Sequence, residues 1–335
     1  MKKIILTGAA GFIGSNFIKA IACNESVKNE YQFIVVDALT YAGVYESIEK
    51  EFKENSHLEF KKIDIRDSAS LDNFSSEDIS GIIHFAAESH VDNSIKNPNI
   101  FVETNVLGTL NLLNLALKLK KNNSDFRFLH VSTDEVYGSL KESDPAFTEN
   151  HHIAPNSPYS ASKASSDLLV RAYFETFKLN TVTTRCSNNY GPFQFPEKLI
   201  PLMIQNAIAN KFLPVYGDGK NIRDWIYVDD HNRGVWAAFT KGKSGEVYNF
   251  GGNSEKRNID VVKDLLRILK KPESLISYVV DRLGHDWRYA MDASKALKEL
   301  GWSPLVSFEE GLGKTVEWYL NNPAWIKLVS ERMTK

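Results

Sequence analysis

The chain has 335 residues, enough to bury a sizeable core, and 40 Lys+Arg against 42 Asp+Glu leave no basic footprint for nucleic acid. Cys23 and Cys186 are the only cysteines, so no disulfide framework is implied and a reducing compartment fits. Met1 to Leu6 begin like a signal peptide but Thr7 and Gly8 interrupt the apolar run, and no apolar stretch approaches membrane-spanning length, so a cytoplasmic protein with no membrane partner is expected.

In chain order, residues 3–7 read as a short apolar strand, 8–14 as a glycine-rich turn and 12–22 as a helix with apolar positions at helical spacing. A second strand over 32–37 ends in Asp37, completing a strand, crossover helix, strand unit that calls for parallel pairing. Further strands are predicted over 59–63, 81–85, 126–131 and 181–185, alternating with helices near 99–120 and 160–178. The fold class is therefore α/β, a doubly wound parallel sheet (Rossmann) of at least six strands. After Tyr190 the prolines at 192, 196, 201 and 214 and the turn Gly217-Asp218-Gly219 break the chain into short pieces, suited to loops over a binding cleft. No histidine pair has metal-ligand spacing in a helical context, so no metal is expected.

Gly8, Gly11 and Gly14 follow a strand and open a helix, so backbone can approach a pyrophosphate at the positive helix end. Asp37 can accept hydrogen bonds from an adenosine ribose and would repel a 2′-phosphate, which favours NAD over NADP. Asp64-Ile65, after the third strand, are candidates for the adenine edge.

Two further groups carry chemistry. Tyr159 and Lys163 are four apart, which stacks them on one helix face, where an ammonium can lower the phenol pKa for proton transfer as nicotinamide takes a hydride. Asp134-Glu135 fall at the carboxyl end of the strand over 126–131, where open α/β sheets bind ligands. Hydride transfer alone needs only the Tyr/Lys pair; elimination of water also needs an acid and a base.

The segments 7–14 and Tyr159-xxx-Lys163 resemble the extended short-chain dehydrogenase/reductase family. Segments 39–43, 86–92, 132–138, 185–192, 195–201 and 217–225 extend the resemblance over nearly the whole chain and point to its nucleotide-sugar 4,6-dehydratases. The resemblance implies dTDP-glucose as substrate, deoxysugar (rhamnose-type) synthesis as setting, and a homodimer. It implies an NAD-binding domain over 1–190, with 225–252 returning to it, and a smaller C-terminal substrate-binding domain over 191–224 and 253–335.

By the same resemblance, Tyr159, Lys163 and Thr133 serve the C4 oxidation, Glu135 takes the C5 proton and Asp134 protonates the departing C6 hydroxyl. Phe12, Ile13, Ala86, Ala87, Thr104 and Asn189 join the cofactor residues. Ser89, Thr133, Asn188, Lys198, Tyr216, Arg223, Asn258, Arg282 and His285 become substrate contacts. Val44, Asn93, Leu283 and Trp287 depart from the family pattern, with Leu283 touching the loop that presents Arg282 and His285. The scheme demands a neutral Asp134 beside an ionised Glu135, which burial and like-charge proximity can produce. The rivals are a dehydratase for another nucleotide sugar, an NAD-dependent sugar 4-epimerase, and a cofactor-binding scaffold without activity.

Overall fold

The computed structural model describes residues 1–333. Six strands stand where the hydrophobic runs place them: β1 (Lys2–Thr7), β2 (Tyr31–Asp37), β3 (Leu58–Lys62), β4 (Ile79–His84), β5 (Arg127–Thr133) and β6 (Thr181–Cys186). After a short β7 (Asn188–Tyr190), β8 (Leu213–Tyr216) and β9 (Ile222–Tyr227), strand β10 (Val247–Phe250) returns to pair parallel with β6. The central sheet thus has seven strands in the order β10-β6-β5-β4-β1-β2-β3. Every pairing in it is parallel.

Strand side chains alternate faces, and here both faces are covered. In β1 and β2, Ile4, Leu6, Phe33 and Val35 enter one apolar cluster. Their neighbours Ile5, Ile34 and Val36 enter another, under the long helices. This is why the strands read as continuous apolar runs. The order reverses between β1 and β4, which opens a crevice at their carboxyl ends.

Three expectations need correction. The helix over 12–22 is α-helical for Phe12–Phe17 and continues as a π-turn at Ile18–Ala22. The region after Tyr190 holds more regular structure than its prolines suggest, including helices Leu199–Ile208, Val228–Lys241 and Asn258–Ile268. Pro201 sits in the first turn of its helix, where its missing N–H has no intrahelical partner to lose. Finally, the continuous helical stretch Pro98–Asn122 is long and apolar enough to cross a bilayer by length and composition. Its Leu112, Leu113, Leu115, Ala116 and Leu119 are buried in the core, which accounts for that apolarity.

The remaining segments pair as β11 (Glu255–Arg257) with β9 and β12 (Ile276–Val279) with β8. They surround a separate apolar cluster built from Tyr190, Met203, Val215, Leu265, Leu312 and Trp325. Val44, in the loop after β2, is buried in that cluster and links it to the sheet.

Candidate active site

β1 leads into a turn whose geometry requires glycine. Gly8 has φ +70°, and a Cβ there would stand 2.4 Å from Ala86 Cα; at Gly14 it would stand 2.4 Å from Ala9 Cα. Asp37 Oδ2 accepts the Ala10 N–H at 2.9 Å and Oδ1 the Leu39 N–H at 2.8 Å, so this acid also organises the turn it faces. Asp64 is clasped by Arg66 at 2.6 Å, which holds its carboxyl below the usual range, and Ile65 packs under Gly108.

One cleft of about 310 Å³ is bordered by Gly8, Gly11, Phe12, Ile13, Gly14, Asp37, Asp64, Ile65, Ala86, Ala87, Thr104 and Asn189. It continues to Ser89, Asn188 and Lys198 and to Thr133, Asp134, Glu135, Tyr159 and Lys163. The close backbone approach at the glycines, an acid at the β2 end, and the unpartnered buried oxygens of Asn189 and Gln194 in the same wall fit a dinucleotide.

The two carboxyls reach that cleft because the chain leaves β5 at Thr133 and enters a 3₁₀ turn, Asp134–Tyr137. In a continued strand they would face opposite ways. Thr133 Oγ1 caps the turn, accepting the Glu135 N–H at 3.3 Å, and donates to Asp134 Oδ1 at 3.2 Å. Asp134 is 2% exposed, its Oδ2 has no partner among the described residues, and burial, then the charges of Glu135 and Asp224, push its pKa well up. Burial raises Glu135 too, but Arg282, Lys198 and Arg223 all oppose it. The pair is therefore unequally placed: anions dominate the charges acting on Asp134 and cations those acting on Glu135, whose pKa burial still leaves raised. Their titration belongs to the two together.

Tyr159 and Lys163 come from the helix Pro158–Phe177, started by Ser157 in a reciprocal cap with Ser160 and by Pro158 at its first position. Thr133 lies within hydrogen-bonding reach of the phenol. The expectation that Lys163 lowers the phenol pKa is corrected. Burial, and then the charge of Glu135, raise it well above its ordinary value, because both disfavour a phenolate. Lys163 Nζ instead donates to Val131 O at 2.9 Å, and burial brings its own pKa down to about 8.

Five expected substrate residues lie outside the cleft wall. Tyr216 OH donates to Asp92 Oδ2 at 3.0 Å, and Arg282 approaches the same carboxylate at 4.0 Å. His285 Nδ1 is 2.6 Å from Asp281 Oδ1, and burial with Arg282 and Arg223 brings its pKa to about 4, leaving a neutral ring. The Arg223 guanidinium stacks 4.4 Å from the Tyr289 ring. Asn258 keeps a buried Oδ1 with no partner among the described residues. Arg282, Lys198 and Arg223 nonetheless act on Glu135 together, so this group and the cleft are electrostatically one site.

Sequence reasoning missed several residues. Glu197, bonded to Tyr41 OH at 3.0 Å, Glu88 and Cys186 all border the cleft, and each lies inside a segment that carries the family resemblance. Asp92 ends the segment that holds Glu88. Asp286 and Tyr289, hydrogen-bonded to each other, had no local signal. Among the departures, Leu283 is 77% exposed and Trp287 38% exposed on the loop bearing Arg282.

The family described as GDP-mannose 4,6 dehydratase matches residues 5–315 of this chain. A dTDP-glucose 4,6-dehydratase of Escherichia coli is 51% identical over 354 aligned positions, spanning 98% of this chain and 96% of that protein. The crystal structure of DesIV, a dTDP-glucose 4,6-dehydratase from Streptomyces venezuelae with NAD and TYD bound, is similar with TM-score 0.92 and 44% identity, covering 98% of this chain and 99% of that one. A UDP-glucose 4-epimerase from Thermotoga maritima is similar with TM-score 0.86 and 30% identity, covering 96% and 99%.

Proposed function

We propose, on the premise that this chain belongs to the GDP-mannose 4,6 dehydratase family of extended short-chain dehydrogenase/reductases, that it converts dTDP-glucose to dTDP-4-keto-6-deoxyglucose with loss of water. The supporting observation is the carboxyl pair. A buried Asp134 and a cation-facing Glu135 share one cleft with Tyr159, and a 4-epimerase needs no such acid and base.

The glycine turn, Asp37 and the Asp64, Thr104 and Asn189 walls would hold NAD, which would supply a reversible acceptor for the hydride that leaves C4 and reaches C6. Tyr159, acting as the phenolate, takes the proton of the 4-hydroxyl while Thr133 hydrogen-bonds the forming carbonyl oxygen. Lys163, one turn along the same helix, lines the cleft beside the phenol. The 4-keto group acidifies C5, Glu135 takes that proton, and protonated Asp134 gives one to the C6 hydroxyl as it leaves as water. Arg223 and Arg282 suit the diphosphate, with planar forks that bind anionic oxygens, and Lys198 adds charge beside Glu135. Ser89, Asn188, Tyr216, Asn258 and His285 complete the substrate contacts.

We assign residues 1–190 and 225–252 to the NAD-binding unit and 191–224 and 253–335 to the nucleotide-sugar unit. We further propose a cytoplasmic homodimer. Its support is the exposed Val102, Leu107 and Leu168 on two long neighbouring helices; light scattering that shows a monomer at working concentration would exclude it.

The test is incubation with dTDP-glucose deuterated at C4, followed by NMR. A C6 methyl group carrying the label without net NADH is the expected product. An unlabelled C6 or inversion at C4 would refute the dehydratase reading.

A further inference from the structure

Beneath the Tyr159–Lys163 face, the same helix carries a buried carboxylate that the reaction scheme leaves without a role. Asp167 is one turn beyond Lys163, 4% exposed, and its Oδ2 accepts the Arg185 Nε–H at 2.9 Å. Its Oδ1 stands 3.3 Å from His130 Nε2. Arg185 Nη1 donates to Tyr137 OH at 2.9 Å, its guanidinium lies 4.7 Å from the Tyr137 ring, and Tyr137 OH donates onward to Asn249 Oδ1 at 2.9 Å. Tyr137 closes the turn that begins with Asp134 and Glu135. Asp167, Arg185 and Tyr137 therefore connect the helix of the redox residues, through β6, to the turn of the elimination residues. Arg185 and Cys186 pair with Ser132 and Thr133 across the β5–β6 register, directly behind that turn.

The geometry points to Asp167 as a positioning residue for this reaction: its carboxylate, locked by Arg185, sets a fixed negative charge one helical turn beyond the buried Lys163 and holds the Tyr159 helix in register with the Asp134–Glu135 turn. This inference rests on the dehydratase reading above.

Lys163 has few other sources of negative charge. Tyr159 shares its helix. His84 on β4 and His130 on β5 lie nearby, and burial first, with Lys163 among the lesser causes, lowers the pKa of both rings, His130 to about 4, so they remain neutral. On β6, Cys186 is a thiol whose pKa burial raises, and Arg185 is a cation already bound to Asp167. Asp134 and Glu135 enter from the turn after β5, where the first is pushed towards its neutral form. Asp167 is the leading anion acting on Lys163. Burial alone would protonate it; Arg185 and His130 override that and hold it at about 2, so its charge persists across the working pH range.

The experiment uses the full-length, NAD-loaded protein and follows reduced nicotinamide and product from dTDP-glucose across pH. In Asp167→Asn the alkaline limb of kcat, where Lys163 loses its proton, moves to lower pH by about one unit, since removing the leading anion acting on Lys163 leaves its burial less opposed. KM changes little, and Asp167→Glu returns the limb towards its original place. Asp167→Asn leaves Arg185 buried without its partner, so the double variant Asp167→Asn/Arg185→Gln is measured alongside it and is expected to show the same displacement. A folded variant of either kind with the wild-type limb overturns the proposal and leaves the network a merely structural one. A wild-type protein that forms no product at any pH instead overturns the dehydratase reading on which it rests.

Discussion

Asp134→Asn isolates the acid of the elimination step. The side chain is fully enclosed, its Oδ1 takes the Thr133 hydroxyl at 3.2 Å, and its Oδ2 has no partner among the described residues. If the native group is neutral, an amide of the same shape keeps the charge balance and the Thr133 contact and removes only the transferable proton. Folding and NAD content should then match the wild type. Loss of a positioned acid costs about a hundredfold to ten-thousandfold in elimination, or roughly 3–5 kcal/mol in the barrier. Oxidation at C4 does not use this proton, so reduced nicotinamide and the 4-keto sugar should accumulate after mixing with dTDP-glucose. Rapid-mixing absorbance, with NMR of quenched samples, reads both. The reasoning fails if Asp134→Asn turns over at the wild-type rate, or if it slows nicotinamide reduction as much as water loss.

Glu135→Gln should also block elimination while leaving nicotinamide reduction, and because burial outweighs the three cations facing this carboxyl, its substrate-free melting temperature should not fall. Gly8→Ala puts a Cβ 2.4 Å from the Ala86 backbone at positive φ; the conformation alone costs about 1–2 kcal/mol, and the variant should purify with little NAD. Asp230→Ala deprives the Leu305 and Val306 N–H groups of their shared carboxylate and should cost about 2–4 kcal/mol in urea unfolding. Asp167, held at about 2 in the fold against an ordinary value of 3.8, contributes about 2 kcal/mol that is present above pH 4 and lost as pH falls towards 2. Asp134 has the opposite sign, its stabilisation fading as pH rises through its elevated pKa. Acid unfolding of Asp167→Asn should therefore be flatter below pH 4 than that of the wild type.

The strands of the central sheet were legible because parallel strands covered on both sides must be apolar at every position, which 3–7 and 32–37 display. The glycine turn and Asp37 were legible because a tight turn, a close backbone approach and a ribose-facing acid each restrict residue choice locally. The proline-rich region after Tyr190 misled, because Pro201 falls at a helix start, which a residue count cannot distinguish from a break. The return of β10 to the sheet was not legible as a strand, since its partner β6 lies some sixty residues earlier in the chain. The π-turn at Ile18–Ala22 had no signature either.

From its residues alone the chain determines an NAD-type cleft, a Tyr/Lys pair and a nearby pair of acids, because local spacing dictates which side chains share a turn or a helix face. The protonation states of those acids are a different matter. Asp134 is driven towards neutrality by enclosure and by Glu135 and Asp224, while Glu135 is opposed by Arg223, Arg282 and Lys198, which come from distant parts of the chain. Likewise the phenol of Tyr159 is raised rather than lowered because burial and the charge of Glu135 outweigh the Thr133 hydrogen bond. Desolvation and Coulomb forces depend on distance in space, so only the tertiary structure decided them.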